Sequence, residues 1–227
     1  MSFQFIVKAW SVWPSPSSEA LAPTLENIPL HLKRRLSPLA SSVFAAIAGC
    51  GNLSQCPAVF SSAYGELTTS LAMLTRLDRD GEISPTAFSL SVHNAIAGLF
   101  SMMLGNTFEI TVLSPGADGI APAFVEALGL LHEGAEEVLV VFYDEPMPSF
   151  YPTQPFLMGC AQRSAVALRL SRSGEGSAMC FSKTKAASLG CQSEQPQHVA
   201  RFVEFMSGAE SILEINTPRQ TWRWQKL

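Results

Sequence analysis

The sequence predicts an α/β protein, a layered mixed sheet with helices packed on it. Three observations carry that expectation. Residues 108–113 alternate apolar and polar side chains as a strand does. They run into the tight turn Ser114-Pro115-Gly116-Ala117-Asp118-Gly119, an apolar helix over 120–131 and a buried-type strand over 138–143. Strand, turn, helix and strand in that order make a βαβ unit, the repeating element of layered α/β proteins. At the start of the chain, Phe3, Phe5, Val7 and Ala9 fall on one face with Gln4 and Lys8 between them, which predicts a strand over 3–13.

The other elements follow in order. Pro14 and Pro16 end the first strand, and the Ser/Pro-rich stretch 14–23 reads as a loop. Helical spacing of Leu32, Leu36, Leu39, Val43 and Ile47 predicts a helix over 28–48, opened by Pro29 and broken in two at Pro38. Residues 58–61 form a short buried strand. Leu67, Leu71 and Leu74 align on a helix over 64–77, ended by the charged turn Asp78-Arg79-Asp80-Gly81. Ser84 and Pro85 read as an N-cap and a first-turn proline opening one helix that carries Phe88, Val92, Ile96, Leu99 and Met103 to Gly105. Residues 164–171 and 178–182 predict a hairpin joined by 172–176, followed by a helix over 199–206 and a docked tail, Trp222-Arg223-Trp224. No internal repeat is present, and the 227 residues suit one domain over 1–227.

Composition excludes several function classes. The net charge is −4 and the longest basic run is Lys33-Arg34-Arg35, so a nucleic-acid partner is not expected. The first 13 residues lack the order of a signal peptide, and no apolar segment reaches the roughly 20 residues that span a bilayer. Five cysteines without paired spacing argue against a disulfide framework or a zinc site and for a reducing cytoplasm. Only 15% of residues are charged, against about 25% in an average domain, and 47% are hydrophobic. Apolar surface in excess of one core predicts a buried interface with another protein.

The run Ser84-Pro85-Thr86-Ala87-Phe88-Ser89-Leu90-Ser91-Val92-His93-Asn94-Ala95-Ile96-Ala97-Gly98 resembles the helix before the nucleophile of β-ketoacyl synthases. Phe124-Val125-Glu126-Ala127-Leu128, Gly134 and Val138-Leu139-Val140-Val141 are similar to that family's nucleophile helix and next strand. Asp144-Glu145-Pro146 resembles a signature of small ketosynthase-like proteins, and the likeness runs over about 28–170 and resumes weakly in the Trp-rich tail. It implies a thiolase-like fold, here a single half of a ketosynthase lacking the second thiolase half. The family's catalytic Cys sits at the N-terminus of a buried helix, where the helix dipole lowers its pKa and N–H groups hold an oxyanion. Gly116 falls in that place, Ala117 offers no nucleophile, and Ser114 precedes the turn. The histidines of the usual Cys-His-His set belong to the second half, and His198 is the sole histidine after residue 132.

The resemblance therefore implies a subunit with no catalytic residue, no cofactor and no metal. It would be similar to a chain-length factor that pairs with an active β-ketoacyl-ACP synthase and shapes its acyl tunnel in polyketide, aryl polyene or fatty-acid-type synthesis. By the same resemblance Tyr64, Thr86 and Ala87 line the tunnel, and His93, Asn94, Phe108, Ile110 and Val112 form the dimer interface. Acyl carrier protein is the second expected partner. The alternatives are a shortened acyl-transferring enzyme using Ser114 or a Cys, and a scaffold that binds acyl carrier protein.

Other residues draw blander readings. Cys50, Cys160 and Cys180 lie among apolar residues and are expected to be buried small hydrophobes. Asp144 and Glu145 are neighbours on a strand, point to opposite faces, and are expected to end it and cap a turn around Pro146 and Pro148. Gly116 and Gly119 suit a tight strand-to-helix turn, without the spacing or Lys of a phosphate loop. Lys33, Arg34 and Arg35 read as a solvated helix face or a contact for an acidic carrier protein.

Overall fold

The first strand, β1 (Ser2–Trp13), lies inside an eight-stranded sheet and is paired along both sides, antiparallel to each neighbour. The computed structural model describes residues 2–14, 30–51, 55–152, 161–185 and 195–227. A shift of register between Val7 and Ala9 marks a bulge at Lys8. Val7 packs with Phe5 on one face of the sheet, Ala9 on the other, and Trp10 and Val12 return to the first. The expectation that Phe3, Phe5, Val7 and Ala9 share a face fails at this point, because one extra residue reverses the alternation.

After β1 come α1 (Leu30–Lys33), α2 (Pro38–Gly49), β2 (Ala58–Ser61), α3 (Leu67–Asp80), α4 (Pro85–Ser89), α5 (Ala95–Leu104) and β3 (Ile110–Leu113). A 3-10 turn, Gly116–Asp118, leads to α6 (Ala121–His132), β4 (Glu137–Asp144), β5 (Ser164–Ser171), β6 (Ser177–Lys185), α7 (Gln195–Ser207), β7 (Ile212–Asn216) and β8 (Gln220–Lys226). The sheet order is β3-β2-β4-β5-β1-β6-β8-β7; β2 pairs parallel with β3 and β4, and the other pairings are antiparallel. Helices α2 and α5 cover one face of the half that runs from β3 to β1, and α6 and α7 cover the other face along its whole width. No described helix is long and apolar enough to cross a membrane.

Strands β5 and β6 do not form the predicted hairpin. Ser171 ends β5 opposite Ile6 on one side of β1, and Ser177 opens β6 opposite Val7 on the other side. The link 172–176 therefore crosses over β1, and a Cβ on Gly176 (φ +144) would fall 2.5 Å from the Val7 carbonyl oxygen. Two strands both antiparallel to β1 run in the same direction, which a hairpin cannot do.

Three helices also depart from expectation. Proline 38 splits the first pair as predicted, with Ser37 Oγ capping α2 by accepting from Ala40 N. Helix α3 starts at Leu67 and runs on through Asp78-Arg79-Asp80 to Gly81, whose left-handed φ of 73° closes it. It buries no residue, and Leu74 and Leu77 of its apolar stripe are 50% and 38% exposed. The single helix expected over 84–105 is two. Tight turns at 90–95 interrupt it, and the Ser91 carbonyl accepts from Ser70 Oγ of α3 in place of a helical N–H. Strand β7 was not foreseen, and the tail Trp222-Arg223-Trp224 is part of β8.

Candidate functional site

Strand β3 is an edge of the sheet. Its one paired side faces β2, and among the described residues nothing pairs with the other. Ile110 and Val112 are half-buried against the α2–α5 side. Beside them, His93, Asn94, Ile110, Val112 and Ser114 line an open depression of about 430 Å³. His93 Nε2 lies 3.1 Å from the Ser62 carbonyl, and its ring rests on Gly65, where a Cβ would come within 3.1 Å of it. Four of the five residues predicted for an interface thus sit together. Phe108 lies two residues ahead of the strand, 50% exposed. Exposed large apolar side chains gather in the same stretch of chain: Leu74, Leu77, Ile83, Phe88, Met102, Leu104 and Phe108.

Behind the depression, the turn 62–66 leaves the C-terminal end of β2 and is held from several sides. Asp144, the last residue of β4 and buried, accepts from Ser62 Oγ at 2.9 Å, from Ala63 N at 2.8 Å and from Gln195 Nε2 of α7 at 2.9 Å. Ser62 Oγ accepts from Gly65 N in return, and Gln195 ties to Ser61 through both its amide atoms. Glu66, also buried, accepts from Ser37 Oγ and Thr69 Oγ1. Burial pushes the Glu66 carboxyl up from its ordinary range and the Asp144 carboxyl up to about 6, against the pull of the Asp144 hydrogen bonds. Tyr143 is buried beside them with no hydrogen-bond partner for its hydroxyl among the described residues, and burial and the two carboxylates raise its pKa. Asp144 does end the strand, as expected, but as a buried carboxylate. Glu145 pairs with Arg163.

This predicts a pH-dependent cost. A carboxyl whose pKa is raised in the folded state contributes stability below its unfolded value of 3.8, and that contribution is lost as pH rises through about 6. Asp144→Asn keeps an oxygen acceptor for Ser62 Oγ and Ala63 N and removes the charge, at the cost of the Gln195 hydrogen bond. Urea unfolding should show the variant more stable than wild type at pH 7.5 by on the order of 1–3 kcal/mol. The gap should close toward pH 4, and a variant less stable at both values would refute the reading.

The predicted nucleophile place is exposed. Gly116 (φ +57) opens the 3-10 turn ahead of α6, a Cβ there would meet open space, and the helix itself begins at Ala121. Ser114 is exposed and donates to the Ala63 carbonyl at 3.1 Å. The buried ring of His198 lies on Gly119, where a Cβ would fall 1.6 Å from Nδ1, so this position admits only glycine. Burial, with Arg201 second, lowers the His198 pKa to about 4, which leaves it neutral at pH 7. Cys50 donates Sγ–H to the Ala167 carbonyl and burial lifts its pKa to about 11; Cys56 is buried and raised too. Cys180 is half-buried, less than expected, because it faces the side of β6 that no described helix covers. Cys160 lies outside the described residues. Among those described, no group of three His, Cys, Asp or Glu residues could hold a metal.

Of the predicted tunnel residues, Tyr64 is half-buried on the 62–66 turn, and Thr86 and Ala87 stand in the first turn of α4. Thr86 lines a groove of about 290 Å³ with Arg35, Leu90, Val92, Leu99 and Met102; Tyr64 and Ala87 do not border it. Lys33 is half-buried, and Arg34 and Arg35 are exposed. No local sequence signal marks the Asp144–Gln195 contact, which joins residues 51 apart.

Comparison with known proteins matches this architecture. A chain of the complex between the ketosynthase ApeO and its chain length factor ApeC from Xenorhabdus doucetiae superposes with a TM-score of 0.79 at 22% identity. The match covers 98% of this chain and 99% of that one. The ishigamide ketosynthase/chain length factor matches with a TM-score of 0.62 at 10% identity, over 82% of this chain and 68% of that one. A β-ketoacyl synthase from Burkholderia phymatum STM815 gives 0.59 at 12% identity, over 82% and 65%. These likenesses establish the thiolase-like ketosynthase fold. No curated protein matches the sequence. The family model for the β-ketoacyl synthase N-terminal domain matches residues 8–225, and the chain belongs to that family.

Proposed function

We propose that this chain is a non-catalytic, chain-length-factor-like subunit that pairs with an active β-ketoacyl-ACP synthase and shapes its acyl tunnel. Polyketide-type synthesis, with aryl polyene assembly as the pathway the sequence resembles, is the proposed setting, in the cytoplasm. The observation that carries the reading is the edge strand β3. Among the described residues its outer side is unpaired, Ile110 and Val112 line the depression with His93 and Asn94, and exposed apolar side chains such as Met102, Leu104 and Phe108 lie in the chain just ahead of it. An apolar strand edge left open invites association, and a partner that covers it removes the hazard. Structures of ketosynthases with their chain length factors, and of one with an acyl carrier protein, are among those of similar fold. Acyl carrier protein is proposed to reach this chain through the partner.

The absence of catalysis rests on Gly116, which has no side chain to attack a thioester, and on two buried thiols held protonated. Purified alone, the chain should neither condense nor decarboxylate malonyl units, and an acyl-thioester probe should leave it unlabelled. Acyl transfer onto the chain that disappears in Ser114→Ala would overturn this and favour a shortened enzyme.

Tyr64, Thr86 and Ala87 are proposed to approach the partner's acyl tunnel. In the assembled complex, Ala87→Phe should shorten the products measured by mass spectrometry, because a bulky ring replaces a methyl group in the first turn of α4. An unchanged product distribution from an intact complex would remove these residues from the tunnel.

A further inference from the structure

We infer that Asp144 is a positioning residue, a carboxylate that sets the 62–65 turn and with it Tyr64. The inference rests on the proposed role of Tyr64 for its functional meaning and on geometry for its physical content. Ser62 Oγ, Ala63 N and Gln195 Nε2 all donate to Asp144, and the Tyr64 backbone N–H is bonded to it as well. A carboxylate is acceptor-only and can take all four donors, so the turn, β4 and α7 meet on one group. The turn then passes its position outward. The Ser62 carbonyl meets His93 Nε2, the Ala63 carbonyl accepts from Ser114 Oγ, and Gly65 supports the His93 ring. Two of the residues lining the depression beside β3, His93 and Ser114, are thereby registered to Asp144 through two hydrogen bonds each.

The contacts of Asp144 favour its charge, and burial opposes it more strongly. The group is buried, and the ionisable residues around it are Tyr143 on the same strand, Glu66 at the start of α3, the Glu145–Arg163 pair beyond the end of β4, and His93 across the turn. Opening the turn would return the carboxylate to water. The closed turn holds a proton more tightly than the open one, so closure is favoured at low pH and weakens as pH rises through about 6. The acceptor holds the turn in place, and its ionisation loosens it.

The test is amide hydrogen exchange of the isolated chain from pH 5 to 7.5, corrected for intrinsic rates, in wild type, Asp144→Ala and Asp144→Asn. In wild type, protection of Ala63 and Tyr64 should fall as pH rises through about 6 while Val59, Phe60, Val140 and Val141 stay constant. Asp144→Ala should speed exchange at Ala63 and Tyr64 roughly tenfold, since it strands buried donors. Asp144→Asn, which keeps an acceptor oxygen for Ala63 N, should keep the protection of Ala63 and lose its pH dependence, and this variant decides the matter if the alanine variant does not fold. Protection of Ala63 and Tyr64 that ignores pH in wild type, or a change spread evenly over the strands, overturns the inference. Failure of the chain to bind a ketosynthase would refute the proposed function and leave this result standing.

Discussion

Phe124→Ala is expected to cost about 4 kcal/mol of folding stability, the upper part of the range for a phenylalanine removed from a packed core. Phe124 is fully buried on α6, and its ring meets five aromatic rings from five different elements. The centroid distances are 6.0 Å to Phe5 of β1, 5.9 Å to Phe142 of β4, 5.8 Å to Phe181 of β6, 5.3 Å to Phe202 of α7 and 5.4 Å to Trp224 of β8. Those elements span the sheet from its parallel half to its last strands, and among the described residues the buried apolar side chains of β6, β7 and β8 all lie on this face. A cavity at Phe124 therefore loosens the joint between the two halves of the sheet, and tilted aromatic pairs are lost beyond the area buried. Urea unfolding monitored by the buried tryptophans measures it. Val125→Ala on the exposed side of the same helix should change stability by under about 0.5 kcal/mol. A Phe124→Ala loss below roughly 1.5 kcal/mol would contradict this picture of the core.

Much of the fold was legible because periodicity reports local geometry. The βαβ unit from β3 to β4, the break at Pro38 and the buried strand β2 follow from alternation, helical spacing and proline chemistry. What periodicity does not report is which strand lies beside which. The passage of the chain across β1 between β5 and β6 is a matter of pairing, and its only local sign is the glycine pair Gly174 and Gly176 at positive φ. The break between α4 and α5 was hidden for a related reason: Phe88, Val92, Ile96 and Leu99 keep helical spacing through it, while a side chain on α3 takes the Ser91 carbonyl. Strand β7 could have been found, since Leu213 and Ile215 alternate with Glu214 and Asn216.

The site divides the same way. His93, Asn94, Ile110 and Val112 came from a resemblance to a family and do share one depression. Asp144 and Glu66 were missed as buried acceptors because their donors come from distant parts of the chain, Gln195 and Ser37 among them. A carboxylate at the end of an apolar strand is ordinary in sequence and becomes informative only when its partners are known.

The proposed pairing of this chain with an active ketosynthase runs through β3. Ile110→Asp places a carboxylate on the half-buried edge, where the partner's strand would seal it from water; an unpaired charge so buried costs several kcal/mol. Interfaces of permanent complexes bury over about 2,000 Å² and are rich in apolar contacts, so the loss should fall on assembly more than on the free chain, which leaves that edge open. Circular dichroism of the isolated variant establishes that it still folds. The decisive measurement is co-expression with candidate ketosynthases, or recovery from the native host, followed by size-exclusion chromatography with light scattering. The expected result is a one-to-one complex with a full-length ketosynthase, abolished by Ile110→Asp. A wild-type chain that elutes as a stable monomer and brings down no ketosynthase would contradict it.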